Sequence, residues 1–263
     1  MLEISSFILI GILAGIIAGL LGVGGGIITV PSLLVVFHYL DLPHDVMMQF
    51  AIGTSLAIMV FTSLVASYSH YKKKAIIFPL VRSMGIGIII GSVLGALLAK
   101  VLTSYFLQIF FGLFECILGL RFLFPEKKRE TDRPLPHFFT LSMVGCGVSI
   151  ISTLLGLGGG IFTVPILTYF HVQIKKAIGT SSMLSFVISL AGSLCFAFLR
   201  TKPAENHESF GFIHLKAFII ISIVSCLFAP VGVKLASVFS SNKLRIIFGI
   251  ALFVTGFVMF FLP

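Results

Sequence analysis

Residues 20–34 read LLGVGGGIITVPSLL, and residues 154–167 read LLGLGGGIFTVPIL. Three glycines in a row, set inside apolar sequence and followed by threonine, can do one kind of chemistry well. A helix that starts after them leaves its first backbone N–H groups without intrahelical partners and carries a partial positive charge at that end. Glycines at the approach let an anion reach those donors with no Cβ in the way. Helices beginning at about Ile27 and Ile161 would use Gly24, Gly25 and Gly26 in one copy and Gly158, Gly159 and Gly160 in the other. Thr29 and Thr163, in the first helical turn, add hydroxyl donors. Gly53-Thr54-Ser55 and Gly179-Thr180-Ser181 repeat the arrangement near the starts of the next segments. Together they predict a substrate-binding cluster of neutral donors, able to hold a small oxyanion and release it.

Two ionisable residues complete the candidate set. Glu115 stands in the middle of an apolar segment, where a carboxylate is costly and is a functional candidate by default, here for a coupling proton. Its duplicated position is Leu252, so a structural hydrogen bond to a neighbouring helix is an equal alternative. Arg82 is the cationic candidate for anion contact, although Arg82, Arg121 and Arg200 all lie near segment ends where they can snorkel. The four cysteines, Cys116, Cys146, Cys195 and Cys226, fall in apolar segments without C-x-x-C spacing, and the seven histidines show no ligand spacing. No metal or cofactor is expected. GxGxxG and GK[ST] are absent, and no nucleophile and base share a depth, so the chain does not read as an enzyme or nucleotide-driven pump.

The elements that must position these residues are set by composition. The chain has 263 residues, 58% hydrophobic and 10% charged, with a mean hydropathy of +1.16. A soluble domain carries about 25% charged residues. Apolar runs long enough to cross a ~30 Å hydrocarbon core recur along the chain. The fold expected is an all-α polytopic membrane protein in a lipid bilayer. The net charge of +9 lies in short loops, so it reads as an orientation signal and not a nucleic-acid footprint.

The chain is duplicated. Of the 14 positions in 20–33 and 154–167, 11 are identical; AIGTS at 51–55 recurs at 177–181, and IFFG at 109–112 is echoed by IIFG at 246–249. This predicts a first transmembrane repeat over 1–125, a charged cytoplasmic linker over 126–137 and a second repeat over 138–263. Five segments are read in each: 4–22, 27–39, 50–69, 78–100 and 104–124, then 138–156, 161–171, 177–199, 213–239 and 244–262. The second of each is too short to span. If the first two form a re-entrant hairpin with the GGG tip, three spanning helices follow and the repeats are inverted. Lys and Arg then divide 14 to 4 between the two sides, against 12 to 6 for a parallel layout, so the positive-inside rule favours inversion with both termini outside the cytoplasm. Gly11, Gly15 and Gly19, echoed by Gly145, Ser149 and Thr153, and also Gly87, Gly91 and Gly95, read as close-packing faces. Pro31 and Pro165 are expected in an early helical turn.

The two glycine motifs with TVP, each followed by AIGTS, resemble the sulfite exporter TauE/SafE family, also called the toluene-sulfonate uptake permease family, over essentially the whole chain. The resemblance implies a bacterial inner-membrane secondary transporter, a permease or exporter for a small anion, with sulfite or an organosulfonate as the leading substrate. The alternative is an anion channel, or a carrier of a non-sulfur solute such as a small carboxylate. Related thiosulfate transporters use membrane cysteines, and no such repeated motif is present here.

Overall fold

The computed structural model describes residues 2–21, 24–124, 137–199, 209–238 and 241–262. Gly22, Val23, nearly all of the linker and Arg200 lie outside them. Ten helices occur among the described residues: α1 (Leu2–Leu21), α2 (Gly26–Tyr39), α3 (Met47–Lys72), α4 (Phe78–Val101), α5 (Ser104–Leu123), α6 (Phe138–Leu154), α7 (Gly160–Tyr169), α8 (Ile174–Phe198), α9 (Leu215–Val238) and α10 (Ser241–Met259). The protein is an all-α polytopic membrane protein, and five of these helices are long and apolar enough to cross a bilayer. With 14 and 10 residues, α2 and α7 rise about 21 and 15 Å, too little to cross. A small hairpin, β1 (Ser209–Phe210) with β2 (Ile213–His214), precedes α9 and was not foreseen.

Why these helices pack as they do follows from their small residues. Without a hydrophobic drive between helices in lipid, close backbone approach decides association. On α4, a Cβ at Gly95 would lie 2.8 Å from the carbonyl of Ile150 on α6, and Gly87 and Gly91 are equally crowded by Ser142 and Cys146. The opposite face of α4 presents Ile86, Ile90, Leu94 and Leu97 outward, each about half exposed. Gly11 and Gly15 do for α1 against α9 what those glycines do for α4 against α6.

Two pairs of corresponding helices, α3 with α8 and α5 with α10, meet and run antiparallel. On α3 and α8, Gly53 sits by Phe196, Leu56 by Gly192, and the Ser63 Oγ is 3.4 Å from the Ser189 Oγ. On α5 and α10, Gly112 faces Gly256 and Gly119 faces Gly249. Two further pairs cross between the halves: α1 packs on α9, and α6 on α4. Side-chain amides close the helix ends. Gln49 donates to the carbonyls of Ala99 and Leu102, and Gln108 to those of Met259 and Leu262.

Candidate functional site

Each glycine break is a sharp reversal. Gly25 (φ 79°) and Gly159 (φ 73°) cap α2 and α7 in the left-handed region, and Gly24 (φ 87°) and Gly156 (φ 64°) also have positive φ. Only glycine adopts this conformation without strain. The return is tight: a Cβ at Gly25 would sit 2.8 Å from the Ala14 carbonyl of α1, and one at Gly159 would meet Ser152 of α6 at 3.2 Å. The first helical hydrogen bonds are donated by Ile28 and Thr29 to Gly25 O, and by Phe162 and Thr163 to Gly159 O. The N–H groups of Gly26, Ile27, Gly160 and Ile161 therefore precede the ladder, at two helix ends that are buried throughout.

The breaks abut at the centre. A Cβ at Gly26 would fall 2.5 Å from the Gly156 carbonyl, the Ser55 hydroxyl donates to that carbonyl at 3.0 Å, and Gly156 packs against Val30 and Ile52. Ser181 and Thr163 are hydrogen-bonded partners in the other half. The expected donors are thus brought together, but several are already engaged. Thr29 donates to Gly25 O and Thr163 to Gly159 O, both at 3.0 Å. Pro31 and Pro165 fall in the second turn of their helices, not the first, so the carbonyls of Ile27 and Ile161 lose their usual i+4 donor.

Thr54 and Thr180 each take part in a long-range structural bond. The Thr54 Oγ1 accepts from the His214 N–H at 3.0 Å, and the Thr180 Oγ1 accepts from the Ile77 N–H at 3.0 Å. Gly53 and Gly179 make room for the same two crossing strands: a Cβ there would lie 2.6 Å from Phe212 O and 2.5 Å from Ala75 O. Each GTS motif therefore anchors the chain entering the fourth helix of the opposite half. Thr54→Val and Thr180→Val should each lower stability by about 1–3 kcal/mol, the cost of an orphaned buried N–H, with flux per folded molecule retained. Thermal unfolding in detergent alongside liposome flux would check this.

The two tips differ in what covers them. One face of α8 carries Ser181, Ser185, Ile188 and Gly192, and lies along the second hairpin: Ser181 on Thr163, Ile188 on Gly159, Gly192 on Thr153. Ser185 sits between the first two. Its hydroxyl, and those of Ser152 and Thr153, are buried with no hydrogen-bond partner. Buried polar groups are almost always paired; of these three, Ser152 lies beside Gly159 and Thr153 packs between Gly95 of α4 and Gly192 of α8. At the first tip the position equivalent to Ser185 is Met59, whose thioether lies over Gly24 and Gly26. Sequence reasoning missed this. Its signal was a four-residue period, Ser55-Met59-Ser63-Ser67 against Ser181-Ser185-Ser189-Ser193.

Arg82 is exposed on α4 and lies outside the buried cluster. Glu115 is fully buried on α5, its Cβ against Gly256 of α10, and neither carboxyl oxygen has a hydrogen-bond partner. The polar side chain that faces it is Thr255 of α10, whose hydroxyl donates to the Ala251 and Leu252 carbonyls. The four cysteines are half-buried and unpaired, apart from these tips.

The profile of the sulfite exporter TauE/SafE family matches residues 7–259. A probable membrane transporter protein of Haemophilus influenzae is 29% identical over 96% of this chain and 96% of its own. One from Methanocaldococcus jannaschii is 27% identical over 96% and 93%, and one from Bacillus subtilis 30% identical over 71% and 76%. No solved structure matches.

Proposed function

Because the chain belongs to the sulfite exporter TauE/SafE family and is a membrane transporter, we propose that it is a secondary carrier of a small anion, with sulfite or an organosulfonate as cargo, and that the anion binds at the second glycine break. The observation that carries this reading is the orphan hydroxyl of Ser152 beside Gly159 at the start of α7, with further orphan hydroxyls on Thr153, the next residue of α6, and on Ser185, on the α8 face that meets Thr163 and Gly159. Backbone N–H groups of Gly160 and Ile161 supply further donors, and no Lys or Arg is needed. Neutral donors hold an oxyanion without the deep well that a buried ion pair would create, which suits a cargo that must leave. The antiparallel pairing of corresponding helices supports two inverted repeats, 1–125 and 138–263, rocking about the α3–α8 seam, a recurring plan in secondary transporters. The charge division supports an inner-membrane orientation with both termini outside.

Flux into proteoliposomes, screened across sulfite, sulfate, thiosulfate, taurine and sulfoacetate, tests the reading. Saturable uptake of a sulfur oxyanion or sulfonate is expected; linear, non-saturating conductance, or transport of none of these, would overturn it. Glu115 is the proposed site of the coupling proton, as the one buried carboxylate among the described residues. Glutamine keeps the shape and cannot ionise, so Glu115→Gln should flatten the pH dependence of flux. An unchanged profile would return Glu115 to a structural role.

A further inference from the structure

The two halves build the same junction twice, with opposite chemistry. In one copy the Ala75 N–H donates to His70 O at 3.0 Å, and Ala75 O lies over Gly179. In the other the Phe212 N–H donates to Phe196 O at 3.0 Å, and Phe212 O lies over Gly53. The offset that aligns the two AIGTS motifs also aligns His70 with Phe196 and Lys176 with Phe50. Since α3 and α8 run antiparallel, the two junctions lie at opposite ends of the pair.

One copy is open and basic. It forms a cavity of about 540 Å³ lined by His70, Lys73, Lys74, Gln173, Lys175 and Lys176, with Ala75 and Ile178 at its floor and no carboxylate in its wall. Lys74 holds a left-handed backbone (φ 53°) at the position where the other junction has Gly211 (φ 59°). A lysine is kept there against local strain. The other copy is shut. The Phe212 ring packs edge-on against Phe50 at 5.6 Å and Phe196 at 6.2 Å, Phe37 lies against Phe50 at 6.5 Å, and all four are buried. From the floor of the basic cavity the chain runs on through Gly179 and Thr180 to Ser181, whose hydroxyl meets Thr163 at the second glycine break.

We propose that the lysine cavity is the mouth through which small oxyanions reach the second glycine break, and that the phenylalanine cluster is its closed counterpart at the opposite end. The proposal rests on the transport reading above. Four lysines around one cavity raise the local anion concentration, an effect on the order of 10–10³-fold for focused fields. The phenylalanines offer an anion nothing, and they exclude water while shut. An anionic lipid headgroup shares the recognised chemistry, so the test separates the two.

The test uses the full chain with Cys116, Cys146, Cys195 and Cys226 replaced by alanine, and a single new thiol at one of two equivalent positions, Ile178→Cys or Ile52→Cys. Ile178 lines the cavity, and Ile52 is fully buried. The probes are 2-sulfonatoethyl methanethiosulfonate, an anion, and its trimethylammonioethyl counterpart. At Ile178→Cys the anionic reagent should react at least about tenfold faster than the cationic one, relative to a free thiol. That preference should vanish when the four lysines become glutamine. Ile52→Cys should resist both reagents and become reactive when Phe212→Ala is added. No charge preference at Ile178→Cys, or equal reactivity at Ile52→Cys, would overturn the proposal. So would a preference seen in phosphatidylcholine nanodiscs but lost in phosphatidylglycerol ones, which marks a headgroup site. Labelling needs no transport: a preference with no flux of any anion leaves the mouth standing and sinks the transport reading, and flux without preference does the reverse.

Discussion

Gly159→Ala should reduce anion flux by roughly 5- to 150-fold while the protein still inserts and purifies. Gly159 caps α7 at φ 73°, where a residue with a Cβ pays about 1–3 kcal/mol in strain. The new methyl would also press on the Ile188 side chain and stand 3.2 Å from the Ser152 Oγ, one of the three orphan hydroxyls. Relief requires the break to turn, which swings the N–H groups of Gly160 and Ile161 away from the hydroxyls. If the strain falls wholly on the binding-competent conformer, 1–3 kcal/mol converts to that fold-change. Gly147→Ala on α6 is the control, because a Cβ there meets nothing within 4 Å. Equal flux in both variants, measured by uptake into proteoliposomes at matched protein content, would leave Gly159 as a packing residue only.

How much of this was legible in the sequence differs by feature, for physical reasons. The breaks were legible because three glycines have no local excuse inside an apolar run, and because the chain repeats them. The packing faces of Gly87, Gly91 and Gly95 were legible because helical spacing puts small residues on one side. Thr54 and Thr180 carry a structural bond that the sequence did not reveal. Hydroxyls near glycines look like free donors, and their partners, His214 and Ile77, lie 160 and 103 residues away. No spacing rule reaches that far. The duplication did keep both threonines at equivalent positions, and a paired structural bond explains that as well as a paired site does. Arg82 is exposed on α4, as the snorkelling alternative requires, and proximity to a segment end could not say which face of the helix it occupies. The asymmetry of the two tips was present in the sequence as Met59 against Ser185, but it becomes visible only when the offset of the third segments, not that of the glycine motifs, is used to align them.

Placing the methionine of the first tip on the second should silence transport. Ser185→Met gives α8 the side chain that α3 carries at Met59, where the thioether lies over Gly24 and Gly26 and fills the approach to the helix start. At the second tip it would cover Gly158–Gly160 and remove the Ser185 hydroxyl in one step. Methionine is flexible and apolar, so it adapts to an irregular gap with little penalty to folding. Stability should therefore hold or rise, since an unsatisfied buried hydroxyl is lost. Flux should fall by roughly 30- to 2,000-fold, because a bound anion would have to displace buried apolar contacts worth about 1.5–3 kcal/mol and forgo a hydrogen bond worth about 0.5–1.5 kcal/mol. Ser185→Ala separates the two causes: it removes only the hydroxyl, worth about 0.5–1.5 kcal/mol, and should weaken apparent affinity no more than about tenfold. Thermal unfolding together with concentration-dependent uptake reads both effects. A Ser185→Met protein that transports normally would place the anion elsewhere than the second break. A Ser185→Met protein that is stable and silent, beside a Ser185→Ala protein that is weakened but saturable, would place it there.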